Sequence, residues 1–281
     1  MIVWLASYPK SGNTWLRAFI SAYFMTTDGK FNIDKLDLIE SYPKPAFFNN
    51  ETIQRGEVYK YWENSQKNIF NKKEIKFLKT HNALISRKGN NFTYPRYTLG
   101  VIYIIRDPRN VITSQKNHNQ FETYDKALEY LQNENAVIFN EINKNFAKYE
   151  YITSWRTHYQ SWMMSKAYRR LTIKYEDMEK DPYKTFRDIV VFVNAVCKFN
   201  NRVDEKKIKN SIETTSFDKL KKFEEEGLFK ENVFSKSQRV KPKFFYLGKE
   251  NNWKIILNDE IKNKMNTYYQ KDLIDLGYEK N

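Results

Sequence analysis

Four short apolar runs, each bounded by polar or turn-forming residues, punctuate the chain. They lie at residues 2–6, 75–81, 99–106 and 171–178, and the third, LGVIYIIR, is the richest in β-branched residues. Runs of this length with such flanks predict buried strands. Residues at helical spacing follow the first, third and fourth runs. Alternating strands and helices predict an α/β domain with a central parallel sheet flanked by helices.

Capping residues and periodicity mark the predicted helices. Asp-Pro pairs at residues 107–108 and 181–182 each place a capping carboxylate before a proline that begins a helix. A last helix is predicted to begin near Asn258 and to stop at Gly277. Residues 124–168, with apolar side chains at helical intervals, are predicted to be mostly helical.

Residues 31–75 show no regular period, and the Tyr-Pro-Lys-Pro stretch at 42–45 breaks any helix there. Aromatic residues recur in this segment, and they either wall a substrate pocket or cover the edge of the sheet: Phe47, Phe48, Tyr59, Tyr61 and Trp62. Neither a repeat nor a low-complexity linker appears in the sequence. A single domain over residues 1–281 is therefore predicted.

Composition narrows the class of protein. The chain carries 48 Lys and Arg against 34 Asp and Glu, a net charge of +14. Because the lysines are interspersed with acids, they indicate a solvated surface, although a polyanionic ligand or a nucleic acid would also suit this charge. No apolar run approaches the length of a membrane span, and the lone Cys197 excludes an internal disulfide. We expect a cytoplasmic protein.

The turn after the first predicted strand has the composition of an anion site. Residues 7–14, here called the cradle loop, lead from a strand directly into a helix, whose first N–H groups are unpaired and attract negative charge. Lys10 adds a full positive charge and Gly12 permits close backbone approach, while Ser11 and Thr14 add hydroxyl donors. The cradle loop is therefore predicted to hold a phosphate.

The cradle loop departs from the Walker A pattern of nucleotide triphosphatases. Ser7 stands where that pattern has its first glycine, and Asn13 stands where it has its lysine. A divergent P-loop kinase, with Thr14 and Asp177 on Mg²⁺, remains an alternative. A basic nucleic-acid-binding protein is the non-enzymatic alternative.

Two further strand ends carry candidate chemistry. Lys79 and His81 are two apart, so on an extended strand they face the same side. An imidazole beside a cation suits a reaction in which one group withdraws a proton and the other stabilises negative charge. Arg106 ends the LGVIYIIR strand, and Ser114 follows about two helical turns later. Two separate anion sites imply a ligand with two separated anionic groups.

Five motifs in order resemble those of the sulfotransferases that use 3′-phosphoadenosine 5′-phosphosulfate (PAPS). The cradle string YPKSGNTW resembles their 5′-phosphosulfate loop, and Lys-Thr-His at 79–81 resembles their catalytic triplet. IYIIRDPRNVITS resembles their 3′-phosphate motif. Tyr175 with the acids after it, and the Thr-Ser-Phe turn at 215–217, resemble adenine-binding segments.

The resemblance implies a sulfotransferase fold, with a P-loop-like central parallel sheet, and transfer of a sulfuryl group to a hydroxyl or an amine. It implies that His81 is the general base and that Lys10 and Lys79 neutralise developing charge. The remaining residues are implied to bind the nucleotide: Ser11, Gly12, Asn13, Thr14 and Trp15 at the 5′ end, Arg106, Ser114 and Gly248 at the 3′ phosphate, and Trp15, Tyr175, Thr215 and Phe217 at the adenine. No metal is expected.

The sequence departs from the family at Gly248, where the usual preceding Arg-Lys pair is missing. A replacement cation is expected among four residues: Arg239, Lys241, Lys243 and Lys249. Acceptor-specific insertions are expected within 31–75 and 115–150, for a small-molecule or carbohydrate acceptor that the sequence does not identify. The family's dimerisation pattern is not visible, so the oligomeric state is left open. Since the cradle loop begins almost at Met1, we expect no N-terminal anchor.

Overall fold

Nine strands and eleven α-helices form the described part of the chain. The computed structural model describes residues 1–231 and 242–280. The strands are β1 (Ile2–Ser7), β2 (Glu40–Ser41), β3 (Lys76–Thr80), β4 (Ser86–Arg87), β5 (Asn90–Asn91), β6 (Thr98–Ile105), β7 (Val137–Ile142), β8 (Asn145–Tyr151) and β9 (Arg170–Lys174). The helices are α1 (Asn13–Met25), α2 (Trp62–Asn71), α3 (Pro108–His118), α4 (Tyr124–Gln132), α5 (Trp155–Met163), α6 (Tyr175–Lys180), α7 (Pro182–Cys197), α8 (Glu205–Thr214), α9 (Phe217–Glu225), α10 (Trp253–Ile256) and α11 (Asp259–Asp275).

Five parallel strands form the central sheet, in the order β2-β3-β1-β6-β9. All six residues of β1 are buried, because β1 pairs on both sides and helices cover both of its faces. Parallel strands all end at one edge, so the ends of β1, β3 and β6 lie side by side. The predicted α/β fold, a parallel sheet flanked by helices, is confirmed.

Alternate residues of β1 point into two separate cores. Trp4 belongs to the core built with α2, α3, α5 and α11, whereas Val3 and Leu5 belong to the core built with α1, α7 and α8. Successive side chains of a strand point to opposite faces, and here both faces are apolar. The apolar run that predicted a buried strand therefore reflects burial on both sides.

The helix predicted over 124–168 is wrong in its middle. Helices α4 and α5 lie at its two ends, but the antiparallel hairpin β7–β8 stands between them. The sequence AKYEY at 147–151 alternates, and Ala147, Tyr149 and Tyr151 are buried while the residues between them are more exposed. That period of two favours a strand, and packing against the core outweighs the helical spacing on either side.

The fourth predicted strand is shorter than expected. β9 ends at Lys174, and the acids at 176–177 lie in the first turn of α6. The predicted caps are confirmed at Asp107, Asp181 and Asn258, each of which accepts a backbone N–H at the start of α3, α7 or α11.

The aromatic residues of 31–75 cover the sheet. Phe48, Tyr59 and Trp62 are buried in the core, and Phe47 and Tyr61 pack against it. None of the five lines the main cavity described below. Of the two interpretations, the structure supports the covering role. Within residues 1–231 and 242–280, no helix has both the length and the apolar character needed to cross a bilayer.

Candidate active site

A cavity of about 440 Å³, the main cavity, opens where β1, β3 and β6 end. Ligands of open α/β sheets bind at this carboxyl edge. All of the predicted site residues line it except two, Ser11 and Thr215: Lys10, Gly12, Asn13, Thr14, Trp15, Lys79, His81, Arg106, Ser114, Tyr175, Phe217 and Gly248. The chain thus gathers residues up to 238 positions apart in the printed sequence, from Lys10 to Gly248, around one space.

The two exceptions are buried. Ser11 is 1% exposed, and its Oγ has no hydrogen-bond partner among the described residues. Thr215 is fully buried, and its Oγ1 donates to the carbonyl of Ser211 at 2.6 Å. The structure thus gives Thr215 a bond within its own segment rather than a place in the main cavity.

Two residues with left-handed backbone conformation and the side-chain amide of Asn13 fix the shape of the cradle loop. Lys10 has φ 68° and Gly12 has φ 99°, and α1 begins at the next residue. Asn13 Nδ2 donates to the Leu5 carbonyl at 3.0 Å and to Ser7 Oγ at 3.1 Å. The Asn13 side chain therefore braces the turn, and the N-terminus of α1 faces the cavity. Such a terminus favours an anion.

Gly12→Ala is expected to destabilise the cradle loop. A Cβ at Gly12 would lie 2.5 Å from Tyr175 Cδ2, and φ is positive there. The backbone conformation costs about 1–2 kcal/mol, and the overlap adds about 1–3 kcal/mol. Urea unfolding measures the total loss in the free energy of unfolding. The matched control is Gly227→Ala, which has φ 73° but meets nothing within 4 Å. Equal losses in the two variants would show that the Tyr175 ring does not restrict the loop.

Lys10 is held in a desolvated and positively charged environment. Its Nζ lies 3.3 Å from the Phe244 carbonyl and 3.9 Å from the centre of the Phe244 ring. Burial, reinforced by the nearby Arg106 charge, lowers the pKa of Lys10 to about 7. A buried cation next to another cation is stabilised by an anion between them. The charge at this end of the main cavity therefore favours an anionic ligand.

A hydrogen bond to the backbone fixes the proton on the His81 ring. Its Nδ1 lies 2.8 Å from the carbonyl oxygen of Ser7, and because a carbonyl only accepts, Nδ1 carries the proton. Nε2 is then unprotonated. Burial, with the positive charge of Lys79, holds the pKa of His81 well below its usual range. His81 is therefore neutral near pH 7, with a free lone pair on Nε2.

The backbone of His81 is fixed from both sides. Its N–H donates to Glu150 Oε1 at 2.6 Å, and its carbonyl accepts from His158 Nε2 at 3.1 Å. Since His158 donates through Nε2, its Nδ1 accepts from the Tyr103 hydroxyl at 2.9 Å. Burial lowers the pKa of His158 to about 3, so the His158 imidazole is uncharged near pH 7. His158 is fully buried, so its hydrogen bonds serve the structure around His81.

Arg106 lies beside the cradle loop. Its guanidinium donates to the Lys10 carbonyl at 3.1 Å and lies 3.9 Å from the centre of the Tyr175 ring. Its Nε is buried without a partner among the described residues. Ser114 reaches the same cavity, and its Oγ accepts from Asn251 Nδ2 at 3.1 Å. Arg106 and Ser114 therefore line the same cavity, and their binding of a 3′ phosphate stays a prediction.

Acidic and aromatic residues hold the loop after Arg106. Glu176 accepts the Asp107 N–H at 3.1 Å and the Tyr278 hydroxyl at 3.3 Å. Arg109, which could have been a second phosphate ligand, is 1% exposed and forms ion pairs with Asp107 and Glu279. Arg109 therefore serves the structure of the loop.

Aromatic rings surround the other end of the cradle loop. Trp15 and Tyr175 meet edge to face with ring centres 6.2 Å apart. Phe217 packs so closely on Gly248 that a Cβ there would lie 2.5 Å from the Phe217 ring. Of the four candidate cations near Gly248, Lys243 and Lys249 do not line the main cavity. Arg239 and Lys241 lie outside the described residues.

The residues of the kinase alternative are not brought together. Thr14 lines the main cavity, but Asp177 lines a separate depression beside β9 and α7. Over residues 1–231 and 242–280, no group of three or more His, Cys, Asp or Glu residues is arranged to hold a metal ion.

The sequence analysis did not identify three residues that line the main cavity. Glu150 and Lys148 enter the main cavity from β8, and His118 lines it from the end of α3. The alternation of charged and aromatic residues in AKYEY was the available signal for β8, and the helical prediction hid it.

Comparisons with known proteins agree with this geometry. The model of the sulfotransferase domain family matches residues 2–277. Flavonol 3-sulfotransferase of Flaveria bidentis is 27% identical over 277 residues, which cover 96% of this chain and 81% of that protein. Luciferin sulfotransferase of Photinus pyralis is 23% identical over 281 residues, which cover 96% of this chain and 70% of that protein.

Solved structures show the same fold. A mouse sulfotransferase, SULT7A1, complexed with PAP matches with a TM-score of 0.60 at 20% identity, over 99% of this chain and 86% of that one. Retinol dehydratase in a complex with retinol and PAP matches with a TM-score of 0.62 at 17% identity, over 98% and 81%. Because the family model spans nearly the whole chain, this protein belongs to the family of PAPS-dependent sulfotransferases.

Proposed function

We propose that this sulfotransferase moves a sulfuryl group from PAPS to a hydroxyl of a small acceptor, by in-line transfer with His81 as general base. The observation that carries the proposal is the unprotonated Nε2 of His81 in the cavity that also holds Lys10 and Arg106. Relatives named for flavonol and luciferin sulfation support a small-molecule acceptor. A cytoplasmic location and the single domain stay predictions.

The residues of the main cavity fit a nucleotide with two anionic groups. Trp15 Nε1 and Arg106 Nε, on residues that line the main cavity, are buried polar atoms without partners among the described residues, and so is Ser11 Oγ in the cradle loop. Lys10 and Arg106 place two cations there, and close packing at Gly12 excludes a side chain from the cradle loop. Two structural neighbours were solved with PAP, the desulfated nucleotide, which is consistent with this fit.

The position of each residue in the site supports one role in the reaction. Bound PAPS would supply the sulfuryl group, whose bond to the phosphate oxygen breaks as its bond to the acceptor oxygen forms. His81 Nε2 accepts the acceptor's proton, while Lys10 and Lys79 stabilise the charge that develops on oxygen. The cradle loop residues hold the 5′ end, and Arg106 and Ser114 hold the 3′ phosphate. Trp15, Tyr175 and Phe217 contribute rings for the adenine.

The first experiment is a thermal-shift comparison of the full chain with PAP, with ATP and Mg²⁺, and without ligand. We expect PAP to raise the melting temperature and ATP with Mg²⁺ to raise it less, because a ligand stabilises the state that binds it. Transfer of labelled sulfate from PAPS to an acceptor panel follows. Stabilisation by ATP with Mg²⁺ alone, together with ATP turnover, would instead favour the kinase alternative.

The affinity for PAP is expected to fall as the pH rises above 7. In the protein without ligand, Lys10 has a pKa of about 7, so its ammonium group loses its proton as the pH rises above 7. A bound polyanion would raise the pKa of Lys10. Binding therefore takes up a proton, and the affinity weakens by about three- to tenfold between about pH 7 and pH 9. The phosphates themselves are ionised throughout this range.

Titration calorimetry in buffers of different ionisation enthalpy measures the proton uptake. Lys10→Met is the control, since it should bind more weakly and without uptake. Proton uptake that persists in Lys10→Met would assign the titration to another group.

A further inference from the structure

The β7–β8 hairpin presents one face to the core and the other to the main cavity. Tyr149 and Tyr151 on one face are 8% and 5% exposed and belong to the core. Lys148 and Glu150 on the other face line the main cavity, together with Ile138, which pairs with Glu150 across the hairpin. These three residues are called the cavity face of the hairpin. Lys148 and Glu150 lie two apart on one strand and so point the same way.

Glu150 has one carboxylate oxygen in use and one available. Oε1 accepts the His81 N–H at 2.6 Å and the Thr80 hydroxyl at 3.4 Å. Oε2 makes no hydrogen bond to any residue of the described part of the chain. Burial raises the pKa of Glu150, which means that its charge is poorly solvated. A group bound near His81 that donates a hydrogen bond would therefore stabilise Oε2.

Several polar side chains lie in the main cavity with His81. Ser41, Asn117 and His118 line the main cavity with Lys148 and Glu150. The aromatic residues of 31–75 that could have formed an apolar wall pack in the core instead. Phe244 lies at the Lys10 end, and its ring is in contact with Lys10 Nζ. The main cavity therefore has a polar as well as an aromatic lining, and the polar part includes the two charged side chains of the cavity face.

We propose that the acceptor is a small hydroxyl-rich molecule of the sugar or cyclitol class, held by Lys148 and Glu150. This rests on the proposed function. One hydroxyl gives its proton to His81 Nε2 as its oxygen bonds to sulfur, and a neighbouring hydroxyl donates to Glu150 Oε2. Lys148 donates to a further oxygen. A hydroxyl can both donate and accept a hydrogen bond. Two adjacent hydroxyls can therefore bind at the same time to the Glu150 carboxylate and the Lys148 ammonium, which lie two residues apart on β8.

The test compares two kinds of acceptor in the full chain with PAPS. The hydroxyl-rich probes are methyl glucoside, methyl galactoside and myo-inositol, and the planar phenol is 4-nitrophenol. We expect at least one hydroxyl-rich probe to be sulfated with a higher kcat/KM than the phenol. Lys148→Met and Glu150→Gln should each lower kcat/KM for that probe by about tenfold or more. Both should lower kcat/KM for that probe more than for the phenol, and Lys206→Met should change kcat/KM for either kind of acceptor less than twofold.

Glu150→Gln keeps an oxygen for the His81 N–H, and Lys206→Met removes an exposed lysine that does not line the main cavity. PAP affinity is expected to be unchanged in all three variants. Sulfation of 4-nitrophenol alone, an equal loss for both kinds of acceptor, or PAP binding without turnover of any hydroxyl-rich probe would overturn the inference and leave the proposed function standing. Failure to bind PAP would overturn the proposed function itself.

Discussion

His81→Ala is expected to abolish sulfuryl transfer while leaving PAP affinity within a few fold of the wild type. A positioned general base contributes about 10²–10⁴-fold to a rate, and His81 is the cavity histidine whose Nδ1 is fixed by a carbonyl. Nucleotide affinity should survive because a base acts on the chemical step. Single-turnover transfer from PAPS measures the first effect, and calorimetry with PAP measures the second.

His118→Ala is the matched control for His81→Ala. His118 also lines the main cavity, and burial, with the charges of Lys10 and Lys79, lowers its pKa to about 3. No hydrogen bond from its ring to a described residue fixes its orientation, so we expect most of the activity to remain. Wild-type transfer by His81→Ala, or loss of transfer in His118→Ala alone, would show that the base has been assigned to the wrong histidine.

Arg106→Ala is expected to weaken PAP binding by about 10- to 100-fold, which corresponds to the loss of one or two charge-assisted hydrogen bonds. Arg106 contacts the Lys10 carbonyl and the Tyr175 ring, and its buried Nε has no partner in the described part of the chain. Arg106→Ala should therefore remove a cation from the proposed 3′-phosphate site and also a hydrogen bond to the cradle loop. Calorimetric titration with PAP gives the dissociation constant.

Arg202→Ala serves as the control for charge. Arg202 is exposed and does not line the main cavity, so its removal lowers the net charge without changing the site. We expect PAP affinity to change less than twofold at moderate salt, where exposed charges are screened. Equal weakening in the two variants would mean that overall charge, rather than the position of Arg106, determines the affinity.

The cradle loop was predictable because its physics is local. A strand, a turn with a left-handed glycine and a helix N-terminus are encoded within about 20 consecutive residues, and Lys10 and Gly12 were identified from that stretch alone. The Lys79–His81 pair was predictable for a similar reason, since residues two apart on a strand share a face. In both cases, neighbouring residues carry the whole signal.

The hairpin shows where such local reasoning failed. Residues 137–151 lie between two helical segments, and their strand conformation depends on burying Tyr149 and Tyr151 in a core formed by distant parts of the chain. The role of Glu150 followed only from its contact with the His81 N–H, which joins residues 69 positions apart. The burial of Arg109 against Glu279 was equally hidden, because its partner is 170 positions away.

By itself, the sequence determined the α/β class, the strand, turn and helix of the cradle loop, the histidine beside a lysine and the resemblance to sulfotransferases, because each depends on residues close together in the chain. The tertiary structure alone decided which nitrogen of His81 carries the proton, which arginine faces the cavity and which side chains line the cavity with His81. Those outcomes depend on burial and on contacts between distant segments, and neither is fixed until the sheet brings β1, β3 and β6 to one edge.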